Sequence, residues 1–202
     1  MSDGDGRREG RQRARTDFRF DDARLCFAFA GTLADRGREA RVERLTRPGD
    51  LSRWSVESGC TAVAPTCTEA ELDGARRLRE AVQRTGVALA EGAAPAAEDV
   101  AVVNDAAAAP TSVPVLAEDA ASVRWDGDGV AAVLSMVARD LIELCGSEQR
   151  TRVRVCGNPD CGTPFVDTSR AGARRWCSMK TCGALVKKRA YRAKMQAPEG
   201  GE

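Results

Sequence analysis

No histidine occurs anywhere in the 202 residues. Its absence removes the usual general base of a Ser-His or Cys-His pair, so an enzymatic function is not expected. It also leaves sulfur and oxygen as the side-chain donors for any metal. Aromatic residues are scarce, 4% of the chain with a single tyrosine. Long apolar runs are missing too, since nothing approaches the roughly 18–20 consecutive apolar residues that a membrane span needs. The sequence therefore predicts a soluble chain with no membrane partner. Its opening, "MSDGDGRREGRQRARTDFRF", is charged and glycine-rich and lacks the apolar core of a secretory signal, which makes the cytoplasm the expected compartment. In that reducing space eight cysteines point to metal ligation or buried thiols rather than to four disulfides.

What is present is unevenly distributed. The net charge is +1, yet residues 150–195 carry twelve Lys or Arg against Asp160 and Asp167 alone, which gives that segment +10 and the remainder −9. Such polarity points to a polyanionic partner for the basic end.

Residues 1–16 mix charge and glycine without periodicity and read as a disordered arm. The dense apolar run from Leu25 to Ala30 reads as a buried element, helix or strand. Asp50 is placed to cap a short helix carrying Leu51 and Trp54 and ending near Gly59. Thr68 with Glu71 forms a capping box, and Leu72, Ala75, Leu78 and Val82 recur on one helical face behind it. The composition between Gly86 and Pro95 suggests a loop, followed by a helix through Val100, Val103 and Ala107 that Pro110 ends. "VPVL" and "SVRW" predict a hairpin over about 113–126. From Gly129 the spacing of Val130, Val133, Leu134, Val137, Leu141 and Leu144 predicts a long amphipathic helix with Gly146 just past its end. Cys26, Cys60, Cys67 and Cys145 have no patterned spacing and read as core, as do Trp54 and Trp125. The fold class is thus mainly α with a small β component (α+β).

The remaining cysteines are patterned. Cys156 and Cys161 are separated by four residues, as are Cys177 and Cys182, with fifteen residues between the pairs. Two close pairs at a fold-back distance match a tetrahedral all-sulfur zinc site, structural because four protein ligands leave no open position; paired structural thiols are the plainer alternative. One Zn2+ per chain is expected. Gly157, Asn158 and Pro159 suit the tight knuckle between the first two sulfurs. "TPFVDTSRAGARRWC" reads as two short strands around Gly172, and Ser178 as the N-cap of a helix from Met179. Knuckle, hairpin and ligand-bearing helix together make a treble-clef-like module. Cys182, Val186, Ala190 and Ala193 would form the helix's inner stripe. Lys187, Lys188, Arg189, Arg192 and Lys194 with Tyr191 would cover its outer faces, and Arg174, Arg175 and Lys180 add charge nearby. Such a surface suits phosphates, with an aromatic for a sugar or base; a solvated or protein-docking face is the bland reading.

The stretch "CxNPDCGxxFxDTSRxGxRRWCSMxxCG", from Cys156 to about Tyr191, resembles the CGNR zinc finger of bacterial proteins described as stress-induced transcription regulators. "RLCFAFAGTLADR", "ERLTRPGDLSRW" and "LREAV" resemble the ABATE domain that precedes it in that family. The resemblance implies a mainly helical N-terminal domain with a little β structure, here 17–149, and a DNA-binding four-cysteine finger, here 150–195; residues 196–202 read as a disordered tail. One departure stands out. Where the family has Asn-Arg after Cys-Gly, this chain has Ala184 and Leu185, which cannot hydrogen-bond base edges. Either the finger keeps phosphate affinity with less base discrimination, or Leu185 is covered by the N-terminal domain or a second subunit. The expected function is a zinc-dependent DNA-binding transcription regulator whose N-terminal domain senses a ligand or partner; a zinc-stabilised module for acidic protein or RNA is the alternative. The effector is not identifiable from sequence, and a homodimer is left open.

Overall fold

The computed structural model describes residues 17–20, 24–111, 113–127 and 129–196. The arm over 1–16 and the tail beyond Gln196 lie outside the described residues, as does the side chain of Trp125.

The apolar run near the start is helix α1 (Leu25–Ala30), buried from Cys26 to Ala30. Six residues cannot hold a helix unaided, so its stability comes from its surroundings. Phe29 meets Trp54 edge-on with ring centroids 4.9 Å apart, and Asp140 accepts from the Cys26 backbone N–H at 2.9 Å and from Arg24 Nη2 at 2.8 Å. A two-residue ladder, β1 (Leu33–Ala34) with β2 (Val42–Glu43), then leads to α2 (Pro48–Glu57). That helix begins before the expected cap. Pro48 is pre-shaped for a first helical turn, and Asp50 lies inside, its carboxylate accepting from the backbone N–H groups of Thr46 and Arg47.

Helix α3 (Glu69–Ala90) opens on the predicted capping box: Thr68 Oγ1 accepts from Glu71 N at 3.2 Å, and the Glu71 carboxylate accepts from Thr68 N at 2.8 Å. It does not stop at Gly86, where a loop was expected. Gly86 sits inside the helix because two neighbours come too close for a side chain: a Cβ there would lie 2.7 Å from both Phe27 Cε1 and Pro164 Cγ. The stop comes at Gly92, which takes the left-handed conformation with φ +70°.

Helix α4 (Ala97–Ala108) follows. Its last carbonyls, on Ala107 and Ala109, are met by Ser135 and Arg139 of α5 (Val130–Gly146). The predicted hairpin lies between these helices as β3 (Val113–Leu116) and β4 (Val123–Asp126), antiparallel with Val113 opposite Asp126. Gly146 is the last helical residue rather than a left-handed stop, and the extended Ser147 ends α5.

A 3-10 turn, Glu148–Arg152, feeds β5 (Val153–Val155), which pairs antiparallel with β6 (Pro164–Val166), Val153 opposite Val166. The strands therefore flank the Cys156–Cys161 knuckle, and the hairpin expected around Gly172 does not form. Gly172 does turn the chain, at φ +63°, but the following backbone bonds elsewhere: Arg174 N–H to Asp167 and Arg175 O from Gly157 N–H. A wide turn over Met179–Gly183 ends in α6 (Ala184–Gln196).

One apolar core runs through the molecule and includes Phe27, Phe29, Trp54, Leu72, Val82, Val137 and Leu141 together with Val153 and Val166 of the cysteine-bearing segment. β5 and β6 rest on α3. Gln83 Nε2 donates to Gly162 O at 2.7 Å, and Gly37 N–H donates to Asp160 O at 3.1 Å. Among the described residues no helix is long and apolar enough to cross a membrane.

Two glycines of α3 separate propensity from packing. Gly74 has only the Arg77 guanidinium nearby, at 3.6 Å from an added Cβ, so Gly74→Ala should stabilise by about 1 kcal/mol. Gly86→Ala should instead lower the urea midpoint, because overpacking costs about 1–3 kcal/mol against the same gain in propensity. Equal gains for both would refute the tight seam.

Candidate metal centre and basic helix

The knuckle forms because its backbone is bonded at every step. Cys156 N–H donates to Thr163 O at 3.0 Å, Cys161 N–H to Asn158 O at 2.9 Å, and Gly162 turns the chain at φ +66°. Gly157 N–H donates to Arg175 O at 2.8 Å, which clips the second cysteine pair to the first. Ser178 caps the last turn as predicted, its Oγ accepting from Thr181 N at 3.2 Å, and that turn carries Cys182 inward.

The sulfurs of Cys156, Cys161, Cys177 and Cys182 all lie within 4.8 Å of one another. Cys161 to Cys177 and Cys177 to Cys182 are both 3.7 Å. Four sulfurs at the usual zinc–sulfur distance on a tetrahedron stand about 3.8 Å apart, so the set fits one zinc ion. Cys156 and Cys182 are buried and the other two half-buried. Hydrogen bonding, first from Cys156 and then from Cys177 and Cys182, pulls the Cys161 thiol down toward thiolate. Further polar groups face the sulfurs: Cys177 N–H donates to Cys156 Sγ at 3.5 Å, and Cys161 Sγ lies 3.4 Å from Thr163 Oγ1. The protein fills all four coordination positions, so the zinc is structural. The other four cysteines are free. Burial pushes the Cys26 thiol well up, which suits a packing residue.

Asp167 holds the loop between the ligand pairs. It accepts from Ser169 N and Oγ at 2.9 and 2.6 Å and from Arg174 N at 3.0 Å. The bonds from Ser169 keep its carboxyl below the ordinary range.

The cations divide into two kinds. Arg174 faces inward, donating to the carbonyls of Trp176 and Cys177 with its guanidinium 5.4 Å from the Phe165 ring. Arg175 is exposed beside the Trp176 ring, and Lys180 is exposed. On α6, Lys187, Lys188, Arg189, Tyr191, Arg192 and Lys194 are all exposed. The expected inner stripe is not covered: Val186 is half-buried, Ala190 and Ala193 are exposed, and no residue of α6 is buried. The reason is length, since the helix runs past the module that would cover it.

Arg189 is tethered. Its guanidinium meets Asp160, which also accepts from Arg38 Nε at 2.7 Å. The Arg189 bond first and the Arg38 bond second hold the Asp160 carboxyl below its usual range. This link between α6, the knuckle and the β1–β2 connection was not foreseen; the available signal was a lone acid beside a ligand in an otherwise cationic segment. Ala184 is exposed, and Leu185, 41% exposed, lines a cavity together with Phe27, Ala28 and the ligands Cys161, Cys177 and Cys182.

The chain prepared under reducing conditions should carry one zinc, and Cys161→Ser should lose it. An all-thiolate site contributes on the order of 10 kcal/mol to folding, so chelation should expose the amides of β5 and β6 to hydrogen exchange before those of α5. Full zinc occupancy in Cys161→Ser would reject the four-sulfur assignment.

Comparison with known proteins agrees with this geometry. No curated protein matches the chain. The family model ABATE, described as "Putative stress-induced transcription regulator", matches residues 23–148, and that of the CGNR zinc finger matches residues 152–195. The first of these covers most of the chain, the second begins four residues after it and contains all four sulfurs, and the protein belongs to the ABATE family with a C-terminal CGNR zinc finger.

Proposed function

We propose that this protein is a zinc-dependent DNA-binding transcription regulator in which α6 is the contact surface and the helical N-terminal part senses a ligand or partner. The observation that carries the reading is α6 itself: a helix without a buried residue on which Lys187, Lys188, Arg192 and Lys194 have no carboxylate partner among the described residues. Unpaired cations on a projecting helix favour a polyanion, because each phosphate they neutralise releases condensed counterions. A helix of this width also fits a major groove. Tyr191, 66% exposed among these cations, supplies a surface on which a sugar or base can rest. Coupling to the N-terminal part would run through Arg38, Asp160 and Arg189.

Ala184 and Leu185 favour a second reading on one point. With no hydrogen-bonding side chain at the start of α6, the helix suits a polyanion read by charge, and single-stranded RNA meets that description as well as duplex DNA. Salt titrations against duplex DNA, single-stranded RNA and a neutral polymer separate the two.

Lys188→Ala combined with Arg192→Ala should weaken all duplex sequences alike and flatten the salt dependence by about two phosphates' worth, each contributing a slope of roughly −0.9. Unchanged affinity and slope would exclude α6 as the contact surface. Ala184→Asn with Leu185→Arg should change the melting temperature little, since Ala184 is exposed and a long side chain at the partly exposed Leu185 position can reach solvent, and should add about 1–3 kcal/mol of discrimination per good base contact. A preserved fold with an unchanged ratio between selected and random duplexes would show that these positions do not face a groove.

A further inference from the structure

Helix α6 carries a line of apolar side chains that its charge does not explain. At about 100° per residue, Ala184, Tyr191 and Met195 fall within about 40° of one another around the helix axis. Tyr191 is 66% and Met195 68% exposed, and Ala184 is exposed. The line points away from the zinc module, since Val186, the one residue of α6 that is not exposed, lies about 160° round the axis. Cations bracket it. Lys187 and Lys194 stand about 60–80° to one side, and Lys188 and Arg192 about 40–80° to the other. None of the four has a carboxylate partner among the described residues.

That cross-section matches a duplex groove. A helix about 10–12 Å across enters a major groove about 12 Å wide, with its centre line on the base edges and its flanks beside the two phosphate strands. The two pairs of cations can then neutralise phosphates on both sides. From Ala184 to Met195 the helix rises about 16 Å, the length of roughly five base-pair steps. What the centre line offers a base edge is mainly methyl, methylene and ring surface, and the apolar group on a base edge is the 5-methyl of thymine. Two other occupants fit less well. A second copy of α6 would set Lys187, Lys188, Arg192 and Lys194 against their own kind, which like-charge repulsion opposes. Paired RNA has a major groove that side chains cannot read.

We propose that the apolar line of α6 reads the 5-methyl groups of thymine in the major groove, with Tyr191 and Met195 as the discriminating residues. The proposal deepens the reading of α6 as a DNA contact and rests on it: the cations supply affinity, and the apolar line supplies the choice of base.

The test follows the anisotropy of short labelled duplexes titrated with the full-length, zinc-loaded protein at one fixed salt concentration. An alternating A·T duplex is compared with the same duplex carrying deoxyuridine for every thymine. An alternating G·C duplex is compared with the same duplex carrying 5-methylcytosine for every cytosine. Within each pair the methyl groups are the only difference. Burying one methyl group is worth about fourfold in affinity, so the methylated member of each pair should bind at least about fourfold more tightly. Tyr191→Ser combined with Met195→Gln should bring both ratios close to one, with zinc content unchanged and the salt dependence retained because the four cations remain. Ratios of one in the unaltered protein, or ratios that survive the double variant, would overturn the proposal while leaving α6 as a DNA contact. Absence of binding to any of the duplexes would overturn both. Sedimentation of the two proteins covers the remaining occupant: a dimer that the double variant splits would make the apolar line a subunit seam, and the proposal would fall.

Discussion

The convergence of four sulfurs on one ion is what the C-terminal third of this molecule depends on. Residues 153–183 bury few large apolar side chains, chiefly Val153, Phe165 and Val166, and a segment that small does not fold on such a core. The metal supplies the missing free energy. Once Cys156 and Cys161 are turned onto the ion, the backbone bonds of the knuckle follow. Once Cys177 and Cys182 join them, the start of α6 is aimed. The direction of the basic helix is therefore a consequence of sulfur geometry rather than of packing along its length.

The same module is not independent of the helices beneath it. Gly86 lets Pro164 settle against α3, and Gly37 lets the knuckle carbonyl of Pro159 approach a loop that any side chain would hold away, since a Cβ there would lie 1.9 Å from that oxygen. That loop is itself fixed by charge. Arg36 and Arg79 share Glu80, and Arg79 makes two bonds to Glu43, so the β1–β2 arm is tied to α3 on both sides. The burial of Arg79 makes this network costly to break singly, because removing one member strands a buried charge. Zinc binding, the glycine contacts and the arginine network thus act on one seam.

Much of this was legible in the chain. Cysteine spacing located the metal, because ligand geometry is local and leaves a local trace. The Thr68–Glu71 box and the period of α5 located the longest helices for the same reason. The misreadings concern contacts between distant residues. Gly86 carries a breaker's composition but serves a partner far along the chain, and Pro164 leaves no mark near Gly86 in sequence. Strand β6 chose β5 over the residues after Gly172, since Val153 and Val166 belong to the common core and residues 173–177 bring only an alanine, two cations, a tryptophan and a ligand. Arg174 reads as a surface cation by type, yet its donors are consumed by carbonyls beside the metal. Charge counting cannot separate a brace from a contact.

Arg189 shows how the two roles can share one residue. It belongs by position to the cationic face of α6, and in the free protein it also meets Asp160, which Arg38 holds from the other side. An ion pair with solvent access contributes about 0–1 kcal/mol, whereas a charge-assisted bond to a phosphate adds counterion release on top of its own strength. A polyanion along α6 can therefore draw Arg189 away at little expense while Asp160 keeps Arg38. On that proposed reading the tether would orient the helix before contact and yield at contact, so the knuckle acid would act on approach geometry more than on affinity. On the polyanion reading proposed above, the chain's departure from Asn-Arg at 184 and 185 fits the same division: with no hydrogen-bonding side chain at the start of α6, orientation by Asp160 and attraction by the exposed cations would be the polar determinants left.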